Sequence, residues 1–142
     1  MMFKHYIGVV CTLIVLWSAC MPVTWYRESD ALDVHKAQYH KEVPGVEDME
    51  PYWNLEVSLG PHREKVLIDS VLFKGAWKVP RSWRKGGGSI LKVQVEESEI
   101  GTEVKGAVDV QDDEALIYYT INNKKLYKLV TNIKQNETIY LP

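Results

Sequence analysis

From Tyr52 onward this chain reads as a series of short strands, and the first of them alternates apolar and polar residues in a way that leaves room for little else. In Tyr52-Trp-Asn-Leu-Glu-Val-Ser-Leu59, Trp53, Leu55, Val57 and Leu59 alternate with Asn54, Glu56 and Ser58, so one face is apolar and the other polar. Gly60-Pro61 ends the run. Val66-Leu-Ile-Asp-Ser-Val-Leu-Phe73 reads as a more buried strand, stopped by Gly75. Ile90-Leu-Lys-Val-Gln-Val-Glu96 alternates again, and Glu103–Val110 does so less cleanly. Ala115–Ile121 and Lys124–Val130 flank Asn122-Asn123, a pair that tolerates the positive φ of tight hairpins. Thr138–Leu141 reads as a final edge strand. Six or seven short strands with almost no helix predict an all-β domain over residues 52–142, folded as an antiparallel β-sandwich.

The first 26 residues obey a different rule. Lys4 precedes an uncharged run from Tyr6 to Tyr26, with Trp17-Ser-Ala-Cys20 inside it, which is the layout of an export signal. Two routes fit. A lipoprotein signal would be cleaved before Cys20, leaving that thiol to carry lipid, although Trp17 stands where an aliphatic residue is usual. An uncleaved helix would be long enough to cross the hydrocarbon core, with Trp25 and Tyr26 at the outer interface. Either route leaves the domain outside the cytoplasm and behind an N-terminal signal or anchor helix. Residues 27–51 are charged, carry His35, His40, Pro44 and Gly45, and show no sustained apolar period. They read as a tether, with Asp30–His40 a candidate short helix capped by Ser29 or Asp30.

Both cysteines, Cys11 and Cys20, lie in the leader, so the exported domain has neither disulfide nor thiolate metal site. A net charge of -2 argues against a dedicated nucleic-acid binder. One segment stands out, Lys74–Gly88. It interleaves Trp77 and Trp83 with Lys78, Arg81, Arg84 and Lys85 and contains no acid. Arg forks grip carboxylates and phosphates at two points and Trp supplies rigid contact area, so these six residues are the candidate partner-binding set for an acidic protein surface, an anionic lipid headgroup or a glycan. A core Trp beside a solvated basic loop is the plain alternative. Gly86-Gly87-Gly88 lack the Lys-Ser or Lys-Thr of a phosphate loop and read as a turn.

The acids Glu96, Glu97, Glu99, Glu103, Asp109, Asp112, Asp113 and Glu114 match no calcium-loop spacing and read as solvated turns. His35, His40 and His62 have no companion cysteine or helical His-Glu motif, and no Gly-x-Ser-x-Gly elbow exists. The expectation is therefore a non-enzymatic protein without metal or cofactor.

The stretches Ile68–Trp77, Val79-Pro-Arg-Ser-Trp-Arg-Lys-Gly86, Leu91–Val95, Leu116–Tyr119 and Leu126–Val130 resemble a family of small proteobacterial lipoproteins. Members commonly show a proline-basic-x-Trp-basic-x-Gly segment feeding an alternating strand, and a closing hairpin. Some look like immunity partners of type VI secretion effectors, periplasmic lipases above all. The resemblance implies a membrane-tethered periplasmic protein that binds and occludes a secreted effector. A structural lipoprotein of an envelope or secretion complex is the second reading.

Overall fold

The computed structural model describes residues 26–101 and 108–142, and within them the chain is all-β. Residues 1–25 of the expected leader, including Cys20, and most of the expected strand Glu103–Val110 lie outside the described residues. Eleven strands form two facing sheets. They are β1 (Arg27–Glu28), β2 (Val34–Val43), β3 (Tyr52–Leu59), β4 (Val66–Phe73), β5 (Ala76–Lys78), β6 (Arg81–Lys85), β7 (Gly88–Glu96), β8 (Ala115–Ile121), β9 (Lys124–Val130), β10 (Lys134–Gln135) and β11 (Ile139–Tyr140). The five-stranded sheet runs β1-β9-β8-β4-β5, and the six-stranded sheet runs β10-β2-β3-β7-β6 with β11 also on β2.

The long strands pair antiparallel, as expected, but the short β1, β10 and β11 pair parallel, so both sheets are mixed. The strand count exceeds six or seven because β1, β5, β6 and β10 are too short to show a period in sequence, whereas β11 falls within the expected edge strand Thr138–Leu141. The larger correction concerns residues 27–51. Neither a tether nor a helix, Val34–Val43 forms a ten-residue strand with β3 on one side and β10 and β11 on the other. Its inward residues are Val34, Ala37 and Tyr39, and a register shift between Val34 and Lys36 breaks the alternation that would have announced it.

The core lies between the sheets. Tyr39, Leu55, Val57, Leu91, Val93 and Val95 meet Val71, Phe73, Ile117, Tyr119 and Val130, while Leu32 and Ile133 close it from the crossover loops. Three hairpins organise the long strands, and each has positive φ at both turn residues: Lys74-Gly75, Gly86-Gly87 and Asn122-Asn123. Positive φ at both positions twists the turn to match right-handed strands. Gly75 is required twice over, because a Cβ there would sit 2.6 Å from the Gly101 Cα, where the Gly101 amide donates to the Lys74 carbonyl at 3.0 Å. Gly75→Ala is expected to destabilise by at least about 2 kcal/mol in urea melts, whereas Gly86→Ala, with open space around it, is expected to cost about 1 kcal/mol from φ alone.

Candidate functional site

The basic–aromatic segment is divided between the two sheets. Trp77 lies on β5 opposite Leu72, with its ring 5.0 Å from that of Tyr118 on the outer face of the five-stranded sheet. Lys78 on the same strand donates to the Glu99 carboxylate, and that bond holds Glu99 below the usual carboxylate range. Val79-Pro80 then carries the chain across to the other sheet, where Arg81–Lys85 forms the edge strand β6, exposed along its whole length. Proline is at home at such a crossing, since it cannot donate to a ladder. Of the six candidates, then, Arg81, Trp83, Arg84 and Lys85 stay together, while Trp77 and Lys78 belong elsewhere.

Within β6 the register decides which way each side chain points. Arg81 lies opposite Lys92 and Trp83 opposite Ile90, which puts Arg81, Trp83 and Lys85 on the outer face of the six-stranded sheet. Ser82 and Arg84 lie opposite Leu91 and Ser89 and turn inward. There the sheets part. β5 pairs only Val71–Phe73, so Val66–Ser70 of β4 has no strand on that side among the described residues. The gap is a cleft of about 750 Å³, with Val66, Leu67 and Ile68 on one wall, Ser82, Arg84 and Leu91 on the other, and the loop Gly60–Lys65 at its end. His62 in that loop buries its Nε2 with no partner among the described residues.

Charge is unevenly distributed around this cleft. Arg84 and Lys65 line it, with Glu64 as the lone carboxylate, and Arg81, Lys85 and Lys92 stand on the adjoining face. Among the described residues no carboxylate pairs with Arg81, Arg84 or Lys85. Like charges directly opposite across a ladder are destabilising, so the Arg81–Lys92 pair is a local cost that an acidic partner would relieve. The same charges stop two copies of this edge from pairing with each other. His62, Lys65 and the open edge of β4 carried no signal in sequence, because only the two-sheet fold brings residues 60–68 against β6.

The acids gather at the other end of the same sheet. A single 3-10 turn, Glu97–Glu99, follows β7, with Glu99 accepting from the Glu96 amide at 2.9 Å and Ser98 Oγ donating to Glu50 at 2.5 Å. Asp112 and Asp113 lie elsewhere, near Lys74, whose ammonium sits 4.3 Å from the Trp53 ring and 4.9 Å from that of Tyr39. Burial lowers the Lys74 pKa, and those two acids oppose the shift. Among the described residues no cluster of three or more His, Cys, Asp or Glu could hold a metal ion.

One polar cluster went unnoticed in sequence. On the outer face of the six-stranded sheet, Glu42 accepts from the Tyr52 hydroxyl, from Asn54 Nδ2 at 2.8 Å, and from His40 Nε2 at 2.8 Å. Tyr52 and His40 hold the Glu42 carboxyl below its usual range, so it stays ionised at neutral pH and fastens β2 to β3. A lowered carboxylate pKa stabilises the fold above the unfolded value, about pH 4.3, and that contribution is lost as pH falls through the folded value. Glu42→Gln is therefore expected to lose about 1–3 kcal/mol at pH 7, with the gap to wild type narrowing in urea melts below about pH 4.

No protein-family model matches the chain, and neither does a curated protein or a solved structure.

Proposed function

We propose that this chain is a membrane-tethered periplasmic binding protein, an immunity protein that occludes a secreted antibacterial effector. The observation that carries the reading is the unneutralised basic edge, Arg81, Arg84 and Lys85 around Trp83, beside a cleft with an open strand edge. Unpaired Arg and an exposed Trp at 44 % are the residue types that dominate interface energetics. Val66–Ser70 offers main-chain donors and acceptors to an extended segment, and Arg84 offers its acidic side chains a two-point grip. The apolar leader with Lys4 before it supports export and a tether, through acylated Cys20 or an uncleaved helix. The likeness to proteobacterial lipoproteins supports the immunity role.

The test is co-purification of the full chain with each product of the adjacent genes. Stable recovery of one secreted neighbour, in a complex that dissolves as salt rises, is the expected result. If no neighbour binds, the immunity reading fails. A structural lipoprotein of an envelope or secretion complex draws on the same open edge of β4; it predicts assembly defects on deletion in place of toxin sensitivity.

A further inference from the structure

The two outer sheet faces differ in chemistry. The six-stranded sheet turns Lys36, Gln38, Glu56, Lys92 and Gln94 outward, as a sandwich in water should. The five-stranded sheet turns Leu72, Trp77, Leu116, Tyr118, Tyr127 and Leu129 outward, by the register of β4, β5, β8 and β9. Leu72 and Leu116 are buried yet stand outside the core cluster between the sheets, so this face carries an apolar layer of its own. Its rings form a connected row. Tyr118 meets Trp77 at 5.0 Å, Tyr127 at 5.9 Å and Tyr26, edge-on, at 4.4 Å.

Tyr26 is also the last residue of the uncharged run that began at Tyr6. The point where the apolar leader meets the domain is thus the point where the aromatic face begins. Lys125 places its Nζ 5.4 Å from the Tyr26 ring, and it and Lys124 are exposed at the tip of the β8–β9 hairpin. Trp and Tyr with flanking Lys are the side chains that settle at the headgroup level of a bilayer, with rings toward the acyl boundary and ammonium groups toward phosphate.

We infer that the outer face of the five-stranded sheet lies on the lipid surface to which the leader tethers the chain, with Trp77, Tyr118 and Tyr127 at the headgroup level. The inference rests on the membrane-tether reading of the leader and extends it from the N-terminus to a whole face of the domain. It also gives Trp77 a role apart from the β6 edge. Leu67, 51 % exposed on this same face, also lines the cleft, so one rim of the cleft borders the lipid. The basic edge is then presented at the membrane surface, where a lipid-hydrolysing effector would act.

The experiment uses the full chain in vesicles of phosphatidylcholine with a minority of phosphatidylglycerol, carrying a spin label on the headgroup of a trace lipid. Methyl resonances of Leu67 and Leu129 are expected to lose about half their intensity or more, while Ile90 on the opposite outer face is unaffected. Lys124→Glu with Lys125→Glu is expected to reduce that loss without releasing the chain from the vesicles. If the chain floats with the vesicles and Leu67 and Leu129 keep their intensity, the face is not on lipid and the inference is overturned while the tether stands. The same holds if the floating chain is a dimer whose second copy shields those methyls from the label. If the chain fails to float, both the tether and the inference fall.

Discussion

Phe73→Ala is expected to lower the unfolding free energy by about 3–5 kcal/mol, the usual cost of emptying an aromatic site in a packed core. Phe73 is 0 % exposed at the end of β4, with its ring edge-on to Tyr39 at 5.4 Å, so the two sheets meet on it. The Lys74 ammonium lies 5.4 Å from the same ring, and its cation–π contact goes with the side chain. A domain of this size has a total stability of about 5–15 kcal/mol, so the variant should unfold at far lower urea and near ordinary growth temperatures. Residues 26–142 contain no cysteine, so no disulfide offsets the loss. A shift under about 1 kcal/mol would mean that Phe73 is not where the sheets join.

The second large effect is on binding. Replacing both Trp83 and Arg84 with alanine is expected to weaken the partner complex at least about a hundredfold, since central Trp and Arg anchors each carry about 2 kcal/mol or more. The fold should not suffer, because β6 is an exposed edge strand and neither side chain belongs to the core cluster. Trp77→Ala is the informative contrast. Its ring packs on Tyr118 within the five-stranded sheet, away from β6, so binding in solution should hold while thermal stability falls. Surface plasmon resonance and melting curves on the same three proteins separate the two roles.

Much of the fold was legible in the sequence for a plain reason. β3 and β7 each bury one face against the core, and period two is the direct consequence of that burial, whereas the β8–β9 hairpin shows through its apolar run and its Asn-Asn turn. The Asn122-Asn123 turn was legible because asparagine tolerates its φ of 50° and 61°. β2 was not. Its strand spends Lys36, Gln38, His40 and Glu42 on the outer face and carries a bulge near its start, so the residues read as a solvated linker. Only pairing with β3 across eight positions reveals it, and such pairing is a long-range fact.

The site divides in the same manner. Arg81, Trp83, Arg84 and Lys85 could be picked out because an acid-free run of Arg, Lys and Trp is a local signal. That Trp77 and Lys78 part from them is decided by Val79-Pro80, which crosses between sheets and cannot be read from composition. The aromatic outer face was hidden for the opposite reason. Ala115–Ile121 is apolar at nearly every position, so no alternation marks which of its sides faces away from the sandwich core.

Occlusion of a secreted effector by the β6 edge and its cleft can be measured in living cells. The toxic neighbour would be directed to the periplasm of a bacterial host that also produces this chain with its own leader, and survivors would be counted. Wild type is expected to protect, and the Trp83→Ala, Arg84→Ala double variant, present at equal abundance, is expected to lose protection at least about tenfold. Survival of the double variant equal to wild type, or death of cells producing wild type, would rule out occlusion by the β6 edge.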